Sequence, residues 1–110
     1  MNKSQWVDAL RSGKYKQTSG VLCNDDGYCC LGVLLCELGF EHNQSAQRMK
    51  KGDSFVHDRQ LPDDVLEGVG RYDMKILASM NDHGSDFEAI ADKIEQNKGI
   101  SGEIVVVGDA

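Results

Sequence analysis

The chain contains 110 residues, of which 40% are hydrophobic and 27% are charged, and its formal net charge at pH 7 is −6. This length predicts a single domain over residues 1–110, and the composition excludes disordered, collagen-like and proline-rich chains. The negative balance argues against a domain that binds nucleic acid mainly by neutralising phosphates.

The first predicted element is a short amphipathic helix. Ser4 is a suitable N-cap, and the apolar residues Trp6, Val7 and Leu10 follow at helical spacing. Gly13 suits the left-handed conformation that commonly ends a helix. After it, residues 14–18 and 20–23 each predict a short strand.

A strong turn signal follows at residues 24–27, which read Asn-Asp-Asp-Gly. A two-residue type I′ turn at Asp26-Gly27 would pair Asp25 with Tyr28 in a β-hairpin. The apolar run over residues 29–38 is interpreted as a short buried helix that starts directly at the hairpin. A continuing strand is the alternative, because a short apolar run fits both structures.

The middle of the chain has little periodicity. Residues 40–60 are polar, carry basic side chains at Arg48, Lys50 and Lys51, and are interpreted as a loop or mobile arm. The sequence Leu-Pro-Asp-Asp at residues 61–64 resembles the first turn of a helix, because proline and acidic residues are favoured there. We therefore predict a short helix that reaches residue 69 and stops at glycine.

Two further helices are predicted near the C-terminus. Asp73 can cap a helix over residues 74–80, and Ser85 begins a Ser-x-x-Glu capping box before the apolar positions of residues 87–94. The segment 104–107 is Ile-Val-Val-Val and favours a strand. Within the tail, residues 102–110, it could pair with the hairpin, pair with a second subunit or remain disordered.

These elements predict an α+β fold, in which a small antiparallel sheet from residues 14–30 is packed by four or five short helices. The core is expected to consist of the apolar residues of the helices. They are Trp6, Leu10, Leu31, Leu34, Leu35, Leu38, Ile76, Leu77, Met80, Phe87, Ile90 and Ile94.

The sequence also predicts a cytoplasmic protein. The N-terminus has no signal-peptide pattern, and the most apolar stretch, residues 29–36, is too short for a membrane-spanning helix, which needs about 20 residues. The four cysteines are then expected to be reduced. Residues 1–60 carry a net charge of +1 and residues 61–110 a net charge of −7, so any basic surface is expected in the first half.

Several blocks of sequence together form an unusual pattern. They are Trp6-x-x-Ala9-Leu10-Arg11-Ser12-Gly13, Tyr15-x-Gln17, Tyr28-Cys29-Cys30-Leu31-Gly32-Val33-Leu34, Leu61-Pro62, Leu77-Ala78-Ser79-Met80-Asn81-Asp82-x-Gly84 and Phe87-x-x-Ile90-Ala91-x-x-Ile94. The pattern resembles a group of small accessory proteins of tailed phages and prophages. That resemblance implies a protein that acts on the host, by analogy on its immune systems, and it transfers no catalytic residue.

The four cysteines could serve chemistry or simple packing. The spacing Cys-x5-Cys-Cys-x5-Cys lacks the Cys-x2-Cys unit of zinc sites, so no metal or other cofactor is predicted. Cys29 or Cys30 at a helix N-terminus would have a lowered pKa, and His42, His57 or His83 could act as its base. A cysteine hydrolase is therefore a third hypothesis, although buried cysteines usually serve packing.

The second hypothesis is a helix-turn-helix regulator. The apolar spacing of residues 87–94 fits its first helix, and residues 99–101 could start a recognition helix. The segment is acidic, however, and only Lys98 could contact phosphates. Nucleic acid is accordingly not the predicted partner.

The preferred hypothesis is a non-enzymatic accessory protein that blocks or sequesters a host protein or a small nucleotide-like signal. The candidate ligand-binding residues cluster at the end of the first helix and in the next segment. They are Arg11, Lys14, Tyr15, Lys16 and Gln17. Tyrosine can stack on a base and the cations can bind phosphate, whereas a solvated strand edge is the simpler interpretation. A homo-oligomer is left open.

Overall fold

The computed structural model describes residues 1–43, 45–58, 61–62, 65–100 and 102–107. Four helices and small antiparallel sheets of two or three strands confirm the predicted α+β class. The elements, in chain order, are α1 (Lys3–Arg11), β1 (Cys23–Asn24), β2 (Gly27–Tyr28), α2 (Cys30–Glu37), β3 (Glu41–Asn43), β4 (Arg48–Lys51), β5 (Ser54–His57), β6 (Leu66–Glu67), α3 (Arg71–Asp82), α4 (Phe87–Gln96) and β7 (Val105–Val106).

Helix α1 packs against α4 and α2, and its central residue is Trp6. The Trp6 side chain is fully buried, and its indole Nε1 donates a hydrogen bond to the carbonyl oxygen of Cys30 at 3.0 Å. The helix starts earlier than predicted, because Asn2 and not Ser4 is the N-cap, in a capping box with Gln5. One tryptophan therefore links α1 to the first turn of α2.

The hairpin β1–β2 forms, but its register differs from the prediction. Cys23 pairs with Tyr28 and Asn24 with Gly27, so the turn residues are the two aspartates between them. The Asn24 side chain determines this turn, because its Oδ1 accepts hydrogen bonds from the N–H groups of Asp26 and Gly27. Gly27 has a φ of 150°, and a Cβ there would overlap the carbonyl oxygen of Lys16.

The two strands predicted before the hairpin are largely wrong. Within residues 14–18, only a parallel bridge from Gln17 to Tyr28 has strand character, and within residues 20–23 only Cys23 belongs to a strand. Segment 14–22 instead lies beside the hairpin and is joined to it by isolated backbone hydrogen bonds. An example is the bond from the Tyr28 N–H to the Lys16 carbonyl at 2.8 Å.

Helix α2 confirms the buried-helix interpretation over the continuing strand. Its side chains are buried on nearly every side, and Cys29 is the N-cap, with its sulfur accepting the N–H of Gly32 at 3.4 Å. A Cβ at Gly32 would overlap the carbonyl oxygen of Leu22. Glycine at this position therefore allows the backbone of segment 20–22 to lie directly on the helix.

The expected loop over residues 40–60 is wrong, because strands β3, β4 and β5 form a three-stranded antiparallel sheet there. Met49 and Val56 point into the core, and His42 lies on the same side. The His42 Nε2 lies 3.0 Å from the carboxylate of the buried Asp58. The sheet is thus built from strands that follow one another in the chain, although local periodicity did not predict them.

The helix predicted up to residue 69 is also wrong. Leu66–Glu67 forms strand β6, which pairs with β7 through Leu66–Val106 and Glu67–Val105. The tail strand therefore pairs with β6 within the chain and not with the hairpin. The two aspartates that suggested a helix start lie outside the described residues.

The last two helices are present with different caps. Gly70, three residues before Asp73, is the N-cap of α3, and Asp86, not Ser85, caps α4 by accepting the N–H of Ala89. Most of the predicted core is buried, whereas Leu38, Ile76 and Met80 are only partly buried. None of the helices described is long and apolar enough to cross a membrane.

Candidate ligand-binding cleft

A cleft of about 230 Å³ opens between segment 20–22, the start of α2 and the exposed side of α3. Its apolar lining comes from all three parts and from the segment before β6. The lining residues are Gly20, Val21, Leu22, Cys29, Leu31, Leu61, Arg71, Met74, Lys75, Ala78 and Asp82. Such an apolar concavity with a few polar groups is the usual form of a small-molecule site.

Helix α3 supplies the charged groups of the cleft. Arg71, Lys75 and Asp82 lie on one face of the helix because helical neighbours recur every three to four residues. Asp82 is occupied, since its Oδ1 accepts the N–H of Gly20 at 2.8 Å. The cleft therefore has two cationic side chains toward the start of α3 and an occupied carboxylate at its end.

Asn81 holds the wall of the cleft in place. It is buried, and its Oδ1 accepts hydrogen bonds from the Gln17 side chain at 3.0 Å and from the Cys30 N–H at 3.2 Å. Its Nδ2 donates to the carbonyl of Thr18 at 2.6 Å. Because one amide joins α3, α2 and segment 17–20, the three parts that form the cleft are fixed relative to one another.

The two most specific sequence blocks meet at this point. Cys30 belongs to the Tyr-Cys-Cys-Leu-Gly-Val-Leu block, and Asn81 and Asp82 belong to the Asn-Asp-x-Gly block. The bonds from Cys30 to Asn81 and from Gly20 to Asp82 give both blocks an architectural role. Cys30 makes a second contact between α2 and α3, because its thiol donates a hydrogen bond to the carbonyl of Leu77 at 3.6 Å.

The thiol that lines the cleft is not activated. Burial raises the pKa of Cys29 more than the nearby N–H groups of Gly32 and Leu31 lower it. Burial likewise raises the pKa of Cys30 well above its ordinary value. The lowered pKa expected at the helix N-terminus is therefore wrong, and a cysteine hydrolase would have a neutral thiol, which is a poor nucleophile.

The other two cysteines have similar surroundings. Burial raises the pKa of Cys23 to about 12 and that of Cys36 to about 11. Among the residues that the structure describes, no three His, Cys, Asp or Glu side chains come together as a metal site would require. All four cysteines are free thiols and contribute to packing.

Arg11, the first of the predicted ligand-binding residues, contacts α4. Its guanidinium pairs with Glu88 at 3.3 Å, with Glu95 at 3.1 Å and with Asp92. The hydrogen bonds that the guanidinium donates to Glu95 and Asp92 raise the pKa of Arg11 further above its ordinary value. Arg11 therefore neutralises part of the acidic outer side of α4.

The remaining four predicted residues do not converge with Arg11. The Tyr15 hydroxyl donates to Glu37, and the Lys14 ammonium lies 3.6 Å from the same carboxylate and 5.2 Å from the Tyr15 ring centre. Gln17 binds Asn81 and the carbonyl of Ser85, and Lys16 is exposed. Ligand binding by these residues stays a prediction, and none of them lines the cleft.

The helix-turn-helix geometry is not present. After Gln96, the described residues 97–100 and 102–107 contain the short strand β7 but no helix. Phe87, Ile90, Ala91 and Ile94 instead face the core, where α4 packs on α1. The recognition helix expected from residues 99–101 is therefore wrong for the part of that segment that the structure describes.

Sequence reasoning missed Arg71, Lys75 and Asp82. A signal was present, because positions 71, 74, 75, 78 and 82 share one helical face with charges at both ends. The predicted start of α3 after Asp73 excluded Arg71 from the helix. Helical spacing also cannot show that this face of α3 stays partly exposed. Its exposure depends on segment 20–22 and Leu61, which form the rim of the cleft and lie outside α3 in the sequence.

Comparison with known proteins gives one match. A family model described as a domain of unknown function, DUF8296, matches residues 1–71, which is more than half of the chain. The matched range extends from α1 to the first residue of α3 and includes the Tyr-Cys-Cys-Leu-Gly-Val-Leu block. No curated protein and no solved structure matches the chain.

Proposed function

Because the chain belongs to the DUF8296 family, whose description assigns no function, we propose its function from the cleft on α3. The protein is a non-enzymatic binding protein that sequesters a small, nucleotide-like anion. The observation that carries the proposal is the pairing of an apolar cleft with the two cations Arg71 and Lys75 at one end. A ligand that fits has a flat apolar part and a phosphate or similar anionic group.

One part of the lining suits the apolar ring of such a ligand, and another part suits its anionic group. Val21, Leu31 and Met74 offer apolar surface to a ring, and removing that surface from water is favourable. Arg71 and Lys75 are one helical turn apart, so both can reach one anionic group. An arginine can bind a phosphate through two parallel hydrogen bonds, and a lysine adds a point charge.

The volume of the cleft limits what it can enclose. About 230 Å³ is less than the roughly 300–1,000 Å³ of sites that enclose a drug-sized molecule. The cleft is therefore expected to hold one ring system, while the anionic part remains near the rim. A nucleotide has this division between a base and a phosphate.

Binding without catalysis agrees with the state of the polar groups. Cys29 has a raised pKa, so its thiol is neutral, and Asp82 is bonded to the Gly20 amide. The described residues of the lining include no histidine. Among these residues we therefore expect none to act as a nucleophile or a general base at neutral pH.

The proposal includes a role in phage infection, which rests on the resemblance of the sequence blocks. They resemble small phage and prophage accessory proteins, and we propose that this chain acts as one in the host cytoplasm. Sequestration requires affinity and enough copies but no chemistry, so a small domain can lower the concentration of a nucleotide immune signal. The proposal is thus an anti-defence protein that works by binding.

Calorimetric titration with adenosine monophosphate and with a cyclic dinucleotide tests the proposal. We expect one-site binding of at least one probe, and Lys75→Glu is expected to weaken it about tenfold or more, the value of a charge-assisted hydrogen bond. Ala78→Trp fills the cleft and should abolish binding. Lys93→Glu makes the same charge change on the exposed side of α4 and should have no effect. The absence of heat with both probes, or equal losses in the two lysine variants, would contradict the proposal.

A further inference from the structure

The sheet β3–β4–β5 has one side that does not face the core, here called the outer sheet face. Strand alternation directs Met49 and Val56 inward, so their neighbours point outward. The register arranges the outward residues in two rows of three across the strands. The rows are Glu41, Lys50 and Phe55, and Asn43, Arg48 and His57.

Phe55 is unusual among the large apolar residues because 62% of it is exposed. The guanidinium carbon of Arg48 lies 5.2 Å from the centre of its ring, which is a cation–π contact. The Arg48 Nε is shielded from solvent and has no hydrogen-bond partner among the described residues. The charged guanidinium and the exposed ring therefore lie in contact on the outer sheet face.

A polar concavity lies beside this surface. Lys50 is the cross-strand neighbour of Phe55, and it also lines the concavity. The other polar lining residues are Lys51, His42, Asn43, Ser45 and the acidic Glu41. The concavity has a volume of about 730 Å³ and offers mainly hydrogen-bonding groups. Cationic and polar groups therefore continue from the exposed ring across β4 towards the turn between β3 and β4.

We propose that the outer sheet face binds single-stranded nucleic acid. One base stacks on Phe55, the adjacent phosphates contact Arg48 and Lys50, and the next nucleotide lies in the polar concavity. An exposed aromatic ring beside cations on a sheet is how many proteins bind unpaired bases, and stacking tolerates any base. This site is separate from the cleft on α3 and goes beyond the sequestration of a small ligand.

The charge of the chain favours a single strand over a duplex. The outer sheet face carries two cations and the single carboxylate of Glu41, whereas the whole chain has a net charge of −6. A duplex site that depends on phosphate contacts needs more cations than this. Stacking supplies the remaining attraction, so binding is expected to be weak, with a modest salt dependence that comes from the two cations.

Fluorescence anisotropy with labelled oligothymidine of about ten nucleotides at low salt tests the proposal. We expect Phe55→Ala to weaken binding at least about fivefold, the lower end for loss of one stacked base, and Phe55→Tyr to retain it. Tyr72→Ala is the matched control, because Tyr72 is 76% exposed but lies on α3. Lys50→Gln should reduce the slope of log K against log salt by about 0.7.

Four results would overturn the proposal. The first is no anisotropy change with the natural protein, and the second is equal binding by Phe55→Ala and the natural protein. The third is full competition by adenosine monophosphate at the concentration that fills the cleft, which would indicate a mononucleotide site. The fourth is loss of oligonucleotide binding in Ala78→Trp, which would place it in the cleft. Conversely, Phe55→Ala should leave mononucleotide uptake unchanged, so the two proposals fail independently.

Discussion

The side-chain oxygen of Asn81 accepts a hydrogen bond from the backbone N–H of Cys30 at 3.2 Å, across 51 residues of sequence. The bond joins the last turn of α3 to the first turn of α2, where helical N–H groups have no partner within the helix. The same amide binds Gln17 and Thr18. One buried side chain of α3 thus satisfies donors and acceptors from two other segments that local sequence would not bring together.

Asn81→Ala is therefore expected to destabilise the protein. It leaves the Cys30 N–H, the Thr18 carbonyl and the Gln17 amide without this partner, and each buried unsatisfied group costs about 1–3 kcal/mol. We expect the free energy of unfolding in urea to fall by about 3 kcal/mol. Ser79→Ala on the exposed side of the same helix is the control and should change it by less than about 0.5 kcal/mol. Equal midpoints for the two variants would contradict the role of the network.

Gly32→Ala tests the close contact between α2 and segment 20–22. The added Cβ would overlap the Leu22 carbonyl oxygen, which belongs to the backbone and can move only with its segment. Overpacking of this kind costs about 1–3 kcal/mol or more, although alanine favours a helix. Gly102→Ala is the matched control, because its Cβ would meet no atom within 4 Å. A Gly32→Ala protein as stable as Gly102→Ala in thermal unfolding would show that the contact is not restrictive.

The buried thiols predict how stability changes with pH. Burial raises the pKa of Cys30 well above the ordinary value of 9.0, so above that value the unfolded thiol loses its proton and the folded thiol keeps it. Stability from this group is complete below pH 9 and is lost as pH rises, by up to about 1.4 kcal/mol per pH unit. Cys30→Ala should make the dependence on pH above 9 shallower, as measured by urea unfolding at several pH values. If the free energy of unfolding fell equally steeply with pH in Cys30→Ala, the loss of stability would come from other groups.

The sequence was most informative where structure depends on neighbours along the chain. The helical periodicity of α4 and the apolar run of α2 were sufficient to predict both helices. Strand β4 was missed because its sequence is Arg-Met-Lys-Lys, in which only Met49 is buried. Strand β6 was missed because its partner β7 follows after two helices, and proline with two aspartates at residues 62–64 favoured a helix.

The candidate cleft depended even more on tertiary structure. The spacing of residues in α3 indicated which side chains share the face that lines the cleft. The partial exposure of that face depends on the position of segment 20–22, which contacts Gly32 and is bonded to Asn81 through Thr18. Arg11 shows the opposite case. Its type and position suggested an anion site, and the anions that it binds are carboxylates of α4. A charged residue in a sequence thus indicates the chemistry of a partner but not whether the partner is in the same chain.

Arg11→Ala is expected to lower the melting temperature by removing the cation that Glu88, Asp92 and Glu95 share. The three carboxylates then repel one another along one side of α4 and no longer attract α1. Since salt screens exposed charges, the difference in Tm between Arg11→Ala and the natural protein should shrink between low salt and about 1 M salt. Lys93→Ala, which removes a cation from the same helix, is the control and should change Tm less at low salt. An effect of Arg11→Ala that is equal at both salt concentrations would instead assign the role of Arg11 to packing of its aliphatic part.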